Sequence, residues 1–221
     1  MGLFGKKEVL IPSGYEQFNK FSEDKERLLC VGSSTTECKH KVEAKVVGGN
    51  RHLKLYYPKN RGEKVKKYWL PMFNIYDEHS AMSLFASWIE NNDYTTSISE
   101  AHSRGVKKEI RKAAQKFGYD DTALLEAADK ITTCGAFDLE RLGYIVRVCY
   151  SLELISEQQA WTCFEILREE AELNFANWDD YIVSFLNGQE GLGTNWYSDT
   201  HISYIELRQD SQSFINRYPL A

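Results

Sequence analysis

Asp179 and Asp180 stand side by side between Trp178 and Tyr181 in NFANWDDYIVSFLNG, residues 174–188. Neighbouring carboxylates are the raw material of an acid/base pair. The same residues also suit a helix start. With Asn177 as N-cap, both aspartates fall in the first turn, where unpaired N–H groups and the helix dipole favour negative charge by roughly 0.3–1 kcal/mol each. Trp178, Tyr181, Ile182, Phe185 and Leu186 then recur at helical spacing, which buries their face and places the aspartates outside it. No catalysis is needed to explain the pair. Gly188, after Asn187, is placed to stop the helix as a left-handed cap.

Asp138 and Arg141 are the second charged combination, three residues apart at another helix start. They are placed to pair with each other or with the next helix, because a buried Arg requires a carboxylate. Ser156 and Gln159 form a capping box. GQEGLG, residues 188–193, follows a helix and has no lysine in a phosphate-loop position. No spacing suggests a catalytic triad, so no catalytic residue is assigned. His79, His102 and His201 are scattered and form no ligand motif. Cys38 and His40 lack the second pair a structural zinc needs. The five cysteines, Cys30, Cys38, Cys134, Cys149 and Cys163, include no close pair and read as reduced, mostly buried thiols. Neither a metal nor a cofactor is expected.

One surface does invite a partner. In the helix after Ser156, Ala160, Phe164, Leu167 and Ala171 line the inner face, while Glu165, Glu169 and Glu172 make an acidic stripe. Like charges one turn apart weaken a helix by a few tenths of a kcal/mol. Asp179 and Asp180 extend the negative field, and Trp196 and Tyr197 are expected as exposed aromatics beside it. Such a surface suits a basic protein partner steered by charge.

These residues must be positioned by a chain of 221 residues with a formal net charge of −5. That length supports one substantial core, with or without a smaller annex. Between Lys39 and Lys67 ten Lys or Arg face Glu43 and Glu63, a net of +8, so the remainder carries −13. KVEAKVV and RHLKLYY flank Gly48, Gly49 and Asn50, which predicts a β-hairpin, with a further short strand at residues 28–32. Tyr56, Tyr57, Tyr68 and Trp69 lie among these lysines, but no nucleic-acid-binding signature accompanies them, and nucleic acid is not the expected partner.

From Asp77 onward the pattern is helical. Ala81, Leu84, Phe85 and Trp88 form one face, as do Ile110, Ala113, Ala114 and Phe117. Further helices are predicted over residues 122–130 and after Asp138, Ser156 and Asn177. The expected fold is mainly α: a single helical domain at residues 69–221, with a basic segment at residues 1–68 holding the hairpin, α+β overall. No run reaches the ~20 apolar residues of a membrane span, and the opening residues lack the apolar core of a secretory signal, so a cytoplasmic location is expected.

FDLERLGYIVRVCYSLELISEQQAWTCFEILREEAELNFANWDDYIVSFLNGQ resembles the core of the bacterial YbeU/YbeR-like family, domain of unknown function 1266. That family's pattern is an Asp and an Arg three apart, a stretch ending in Ala-Trp, and an aromatic-x-x-Trp segment closing on Leu-x-Gly. Here these fall on Asp138 and Arg141, on Ala160 and Trp161, and on Phe175, Trp178, Leu186 and Gly188. WLPMFNIYDEHSAMSLFASWIE is similar to the family's opening segment, so the resemblance spans roughly residues 69–196. A serine more often precedes the second Trp, where this chain has Asn177; both residues cap. The resemblance implies a helical fold without settled chemistry, and accessory proteins some of which lie beside toxin or chaperone-related loci. The resulting expectation is a non-enzymatic immunity protein that occludes a basic toxin domain. An enzyme using a carboxylate and Arg141, or an anion binder working through the hairpin, stands as the alternative.

Overall fold

The computed structural model describes residues 11–42, 48–58, 60–192 and 199–220, the side chain of residue 42 excepted. After a short 3-10 turn at Tyr15–Asn19 come α1 (Glu23–Leu28), α2 (Ser33–Val42) and α3 (Arg61–Lys64). The chain then winds through a wide π turn and a 3-10 turn into α4 (Glu78–Glu90), α5 (Glu100–Phe117), α6 (Thr122–Lys130) and α7 (Ala136–Ser151). The last elements are α8 (Glu157–Asn174), α9 (Trp178–Asn187), α10 (Thr200–Gln209) and α11 (Phe214–Arg217).

The caps explain where several helices begin. Asp77 accepts from the Ser80 backbone at 2.8 Å, Ser156 from Gln159 at 3.2 Å and Asn177 from Asp180 at 2.8 Å. Each bond satisfies an N–H that the first helical turn leaves without a partner. The start of α7 differs from expectation: it begins at Ala136, so Asp138 lies inside the first turn. Gly188 differs too. Its φ of −68° is right-handed, and the reason for glycine is space, since a Cβ there would lie 2.3 Å from Phe137 Cβ.

The hairpin is the main correction. Residues 41–42 of its first strand belong to α2, residues 43–47 lie outside the described residues, and 51–57 run as turn, bend and irregular chain with a lone bridge residue at Tyr56. No strand forms among the described residues, where Ser97 and Thr133 make an isolated antiparallel bridge. The second segment's backbone is held by side chains instead of a ladder. Asn19 accepts from the Leu53 and Lys54 amides, both at 3.0 Å, and Ser151 from the Leu55 amide at 2.6 Å. Tyr15 donates to the Lys54 carbonyl. With these groups satisfied, pairing to a neighbouring strand is unnecessary. Residues 28–32 likewise form the turn closing α1, and Leu29, Cys30 and Val31 are buried there.

α7 is the axis of the molecule. It packs against α2, α4, α8 and α9, and is buried nearly all round, Glu140 and Arg147 included. A single hydrophobic cluster joins Leu28, Leu29, Val31, Leu53 and Leu55 to Leu139, Leu142, Phe164, Phe185 and Ile205. Two glycines let α7 approach the α1–α2 turn: a Cβ on Gly143 would lie 2.7 Å from Gly32 Cα and from the Val31 carbonyl oxygen. Both neighbours are backbone and cannot swing aside. Gly143→Ala is therefore expected to cost about 1–3 kcal/mol through overpacking, read as a lower urea midpoint at unchanged m-value.

Candidate functional site

Two charges are sealed inside α7. Glu140 is 1 % exposed and accepts from the Gly32 amide at 2.9 Å, the Thr35 amide at 2.8 Å and the Tyr181 hydroxyl at 3.0 Å. It thereby caps the N-terminus of α2 from a distant part of the chain. Arg147, two turns further on, is 0 % exposed. It donates to the carbonyls of Leu29 at 2.6 Å, Val31 at 3.0 Å, Gly143 at 2.7 Å and His52 at 2.9 Å, and its guanidinium lies 4.7 Å from the Phe164 ring centre. Burial raises the Glu140 carboxyl, with the three donors and Arg147 pulling it back, and lowers Arg147 to about 10. A carboxylate, a tyrosine and an arginine so arranged could serve catalysis. Here Arg147 is committed to backbone carbonyls, Glu140 to two backbone amides and to Tyr181, and both charges are sealed from solvent. The centre is architectural. Neither residue was among the expected site residues, although an Arg inside the apolar run LGYIVRVCYSL was the available signal.

Asp138 and Arg141 pair with each other at 3.1 Å. The guanidinium lies between the Trp88 and Phe137 rings, 4.2 Å and 4.5 Å from their centres, and clamps the start of α7 to α4. Trp161 donates to Glu157 at 3.0 Å, and Trp178 to the Tyr218 carbonyl at 2.9 Å. Trp178 and Gly188 thus tie α9 to the C-terminal segment and to α7, whereas the Trp161 bond lies within α8. Cys30, Cys149 and Cys163 are buried thiols pushed up to about 12 by burial, and are unreactive for that reason.

The acidic surface is smaller than its sequence suggests. Asp180 is only 3 % exposed and accepts from Lys130 at 2.7 Å, which corrects its placement outside the buried face. Asp179 accepts from the Tyr204 hydroxyl at 2.7 Å, joining α9 to α10. Glu172 turns aside to the buried Arg168 at 2.5 Å. Arg168 also donates to the Pro219 and Leu220 carbonyls at 2.6 Å and 3.0 Å. Trp196 and Tyr197 lie outside the described residues. Glu165 and Glu169 remain, exposed and without an ion pair among the described residues. One further turn along the same face stands Leu173, 73 % exposed, which the sequence analysis did not single out.

A family model described as a protein of unknown function (DUF1266) matches residues 55–220. The chain belongs to the DUF1266 family. No curated protein and no solved structure matches it. The DUF1266 match extends the expected span in both directions. It includes Glu140 and Arg147, while the groups of residues 29–35 and His52 that satisfy them lie before it. No helix among the described residues is long and apolar enough to cross a membrane.

Two predictions follow from these placements. Glu140→Gln or Arg147→Met alone is expected to lose about 3–5 kcal/mol, because each leaves a buried charge uncompensated. The pair Glu140→Leu/Arg147→Met is expected to lose less than the sum of Glu140→Leu and Arg147→Met, measured by a double-mutant cycle in denaturant. Burial lifts the Asp138 carboxyl above its ordinary 3.8, with Arg141 partly offsetting. A raised carboxyl holds its proton longer in the folded chain, so its contribution is greatest below 3.8 and falls as pH rises through the raised value. Asp138→Asn should flatten that decline in a series of urea midpoints across pH.

Proposed function

We propose that the protein is a non-catalytic, cytoplasmic binding protein whose contact face is the outer side of α8. The observation that carries this reading is the alignment of Glu165, Glu169 and the exposed Leu173 at successive turns of one rigid helix. Two unpaired carboxylates steer a basic surface into register, and the leucine offers an apolar anchor within it. The other carboxylates of the expected surface are spent on internal pairing, which leaves this face as the part free to bind. Its most concrete form is an immunity protein that occludes a basic toxin domain. The resemblance to the YbeU/YbeR-like group and the negative remainder of the chain support that form.

The test begins with co-expression of the genes neighbouring this one and isolation of a stoichiometric complex whose partner is toxic alone. Glu165→Lys/Glu169→Lys should then weaken the complex at least about tenfold, ~1.4 kcal/mol, with the melting temperature nearly unchanged. Unaltered affinity would remove α8 from the interface, and the absence of any neutralised partner would sink the immunity reading.

A further inference from the structure

On a different face, α5, α9 and α10 enclose an open cleft of about 540 Å³. Its polar wall is mostly cationic or proton-donating: Lys108 and Lys112 one turn apart on α5, His102 on the same helix, Gln189 after α9 and His201 on α10. Val106 and Leu186 form an apolar floor, and Glu109 is the one acid in the lining. Glu109 reaches Lys112 at 3.7 Å, whereas Lys108 has no acid partner among the described residues. The neighbouring cations Arg104 and Lys107 are already engaged, by Glu100 and Asp129.

Gly105 supplies an independent indication. It sits inside an 18-residue helix and lines the same cleft. Glycine is the least favourable residue after proline in such a position. Every other described glycine either has a positive φ or would place a Cβ within 3.0 Å of a neighbour. At Gly105 the φ is ordinary and a Cβ would meet nothing within 4 Å. Among the described residues nothing crowds that position, so the helix backbone there is open to close approach by a ligand.

We infer that this cleft binds a phosphate-bearing small molecule of nucleotide size. The volume falls in the range of small-molecule sites, with an apolar floor and a few convergent polar groups. The two ammonium groups neutralise the phosphate charge, Gln189 donates at its flank beside His102, whose Nε2 lies 3.3 Å from the Leu186 carbonyl oxygen, and the absent Cβ of Gly105 lets the ligand lie against α5.

Calorimetric titration of the full chain with inorganic pyrophosphate and with ADP at low salt tests the inference. Saturable 1:1 binding of at least one probe is expected, weakened about tenfold or more by Lys108→Ala/Lys112→Ala and unaffected by Lys116→Ala, whose residue lies on α5 outside the lining. Gly105→Ala should raise the melting temperature while weakening the probe. Failure of both probes to saturate would overturn the site, as would equal losses in the Lys108/Lys112 and Lys116 variants. A Gly105→Ala chain that is more stable and binds as well as the parent would overturn the role given to Gly105.

Discussion

The guanidinium of Arg147 is the constraint on which the fold depends. A charge removed from water costs several kcal/mol unless hydrogen bonds and an opposite charge replace the lost solvation. Arg147 gains four carbonyl partners, and three of them, on Leu29, Val31 and His52, belong to the N-terminal stretch. Glu140 makes the reciprocal demand, since two of its three donors are the amides of Gly32 and Thr35. Peeling residues 29–52 from α7 would leave both ions buried or half-wet without partners. The basic segment and the helical core are therefore bound together by the same few bonds, and the Gly32–Gly143 approach sets how close they come.

That centre also accounts for what the sequence concealed. Local signals sufficed where the stabilising partner is three or four residues away, as in the Ser156–Gln159 box, the Asn177 cap and the apolar face of α5. They failed at α2. Its first turn carries Ser33, Ser34, Thr35 and Thr36, all buried, and its N-terminus is capped by a carboxylate more than a hundred residues away. No window of the sequence contains that bond. The alternation in KVEAKVV suggested a strand from Lys41, where the chain is still in α2. Asp180 was misplaced for a similar reason, because the lysine that makes its burial tolerable lies on α6.

The charge asymmetry has an internal meaning as well. Lys41 reaches Glu206 at 2.8 Å, and Arg51 reaches Asp210 at 3.4 Å and the Gln212 carbonyl at 2.7 Å. Lys54 lies 4.6 Å from the Phe18 ring centre. Three of the ten cations of the basic stretch are thus turned toward the molecule's own acidic and aromatic groups. Exposed pairs of this kind contribute little stability each, but they complement the register set by Arg147. A strongly basic segment is for this reason weak evidence of a nucleic-acid partner here.

Once the internal pairings are subtracted, the surface divides into two unlike regions. On α8 the uncommitted groups are the carboxylates of Glu165 and Glu169 in line with the exposed Leu173. On α5 a concavity is lined by Lys108, without an acid partner among the described residues, and by Lys112, which Glu109 reaches, at a position where the helix carries no side chain. Both regions belong to long helices that are also anchored in the core, α8 by Phe164 and Leu167 and α5 by Ile110 and Ala113. Their geometry is therefore fixed before any partner arrives, and binding at either place need not order the backbone. That preorganisation lowers the entropic cost of association and lets two surfaces of opposite sign coexist without cancelling each other.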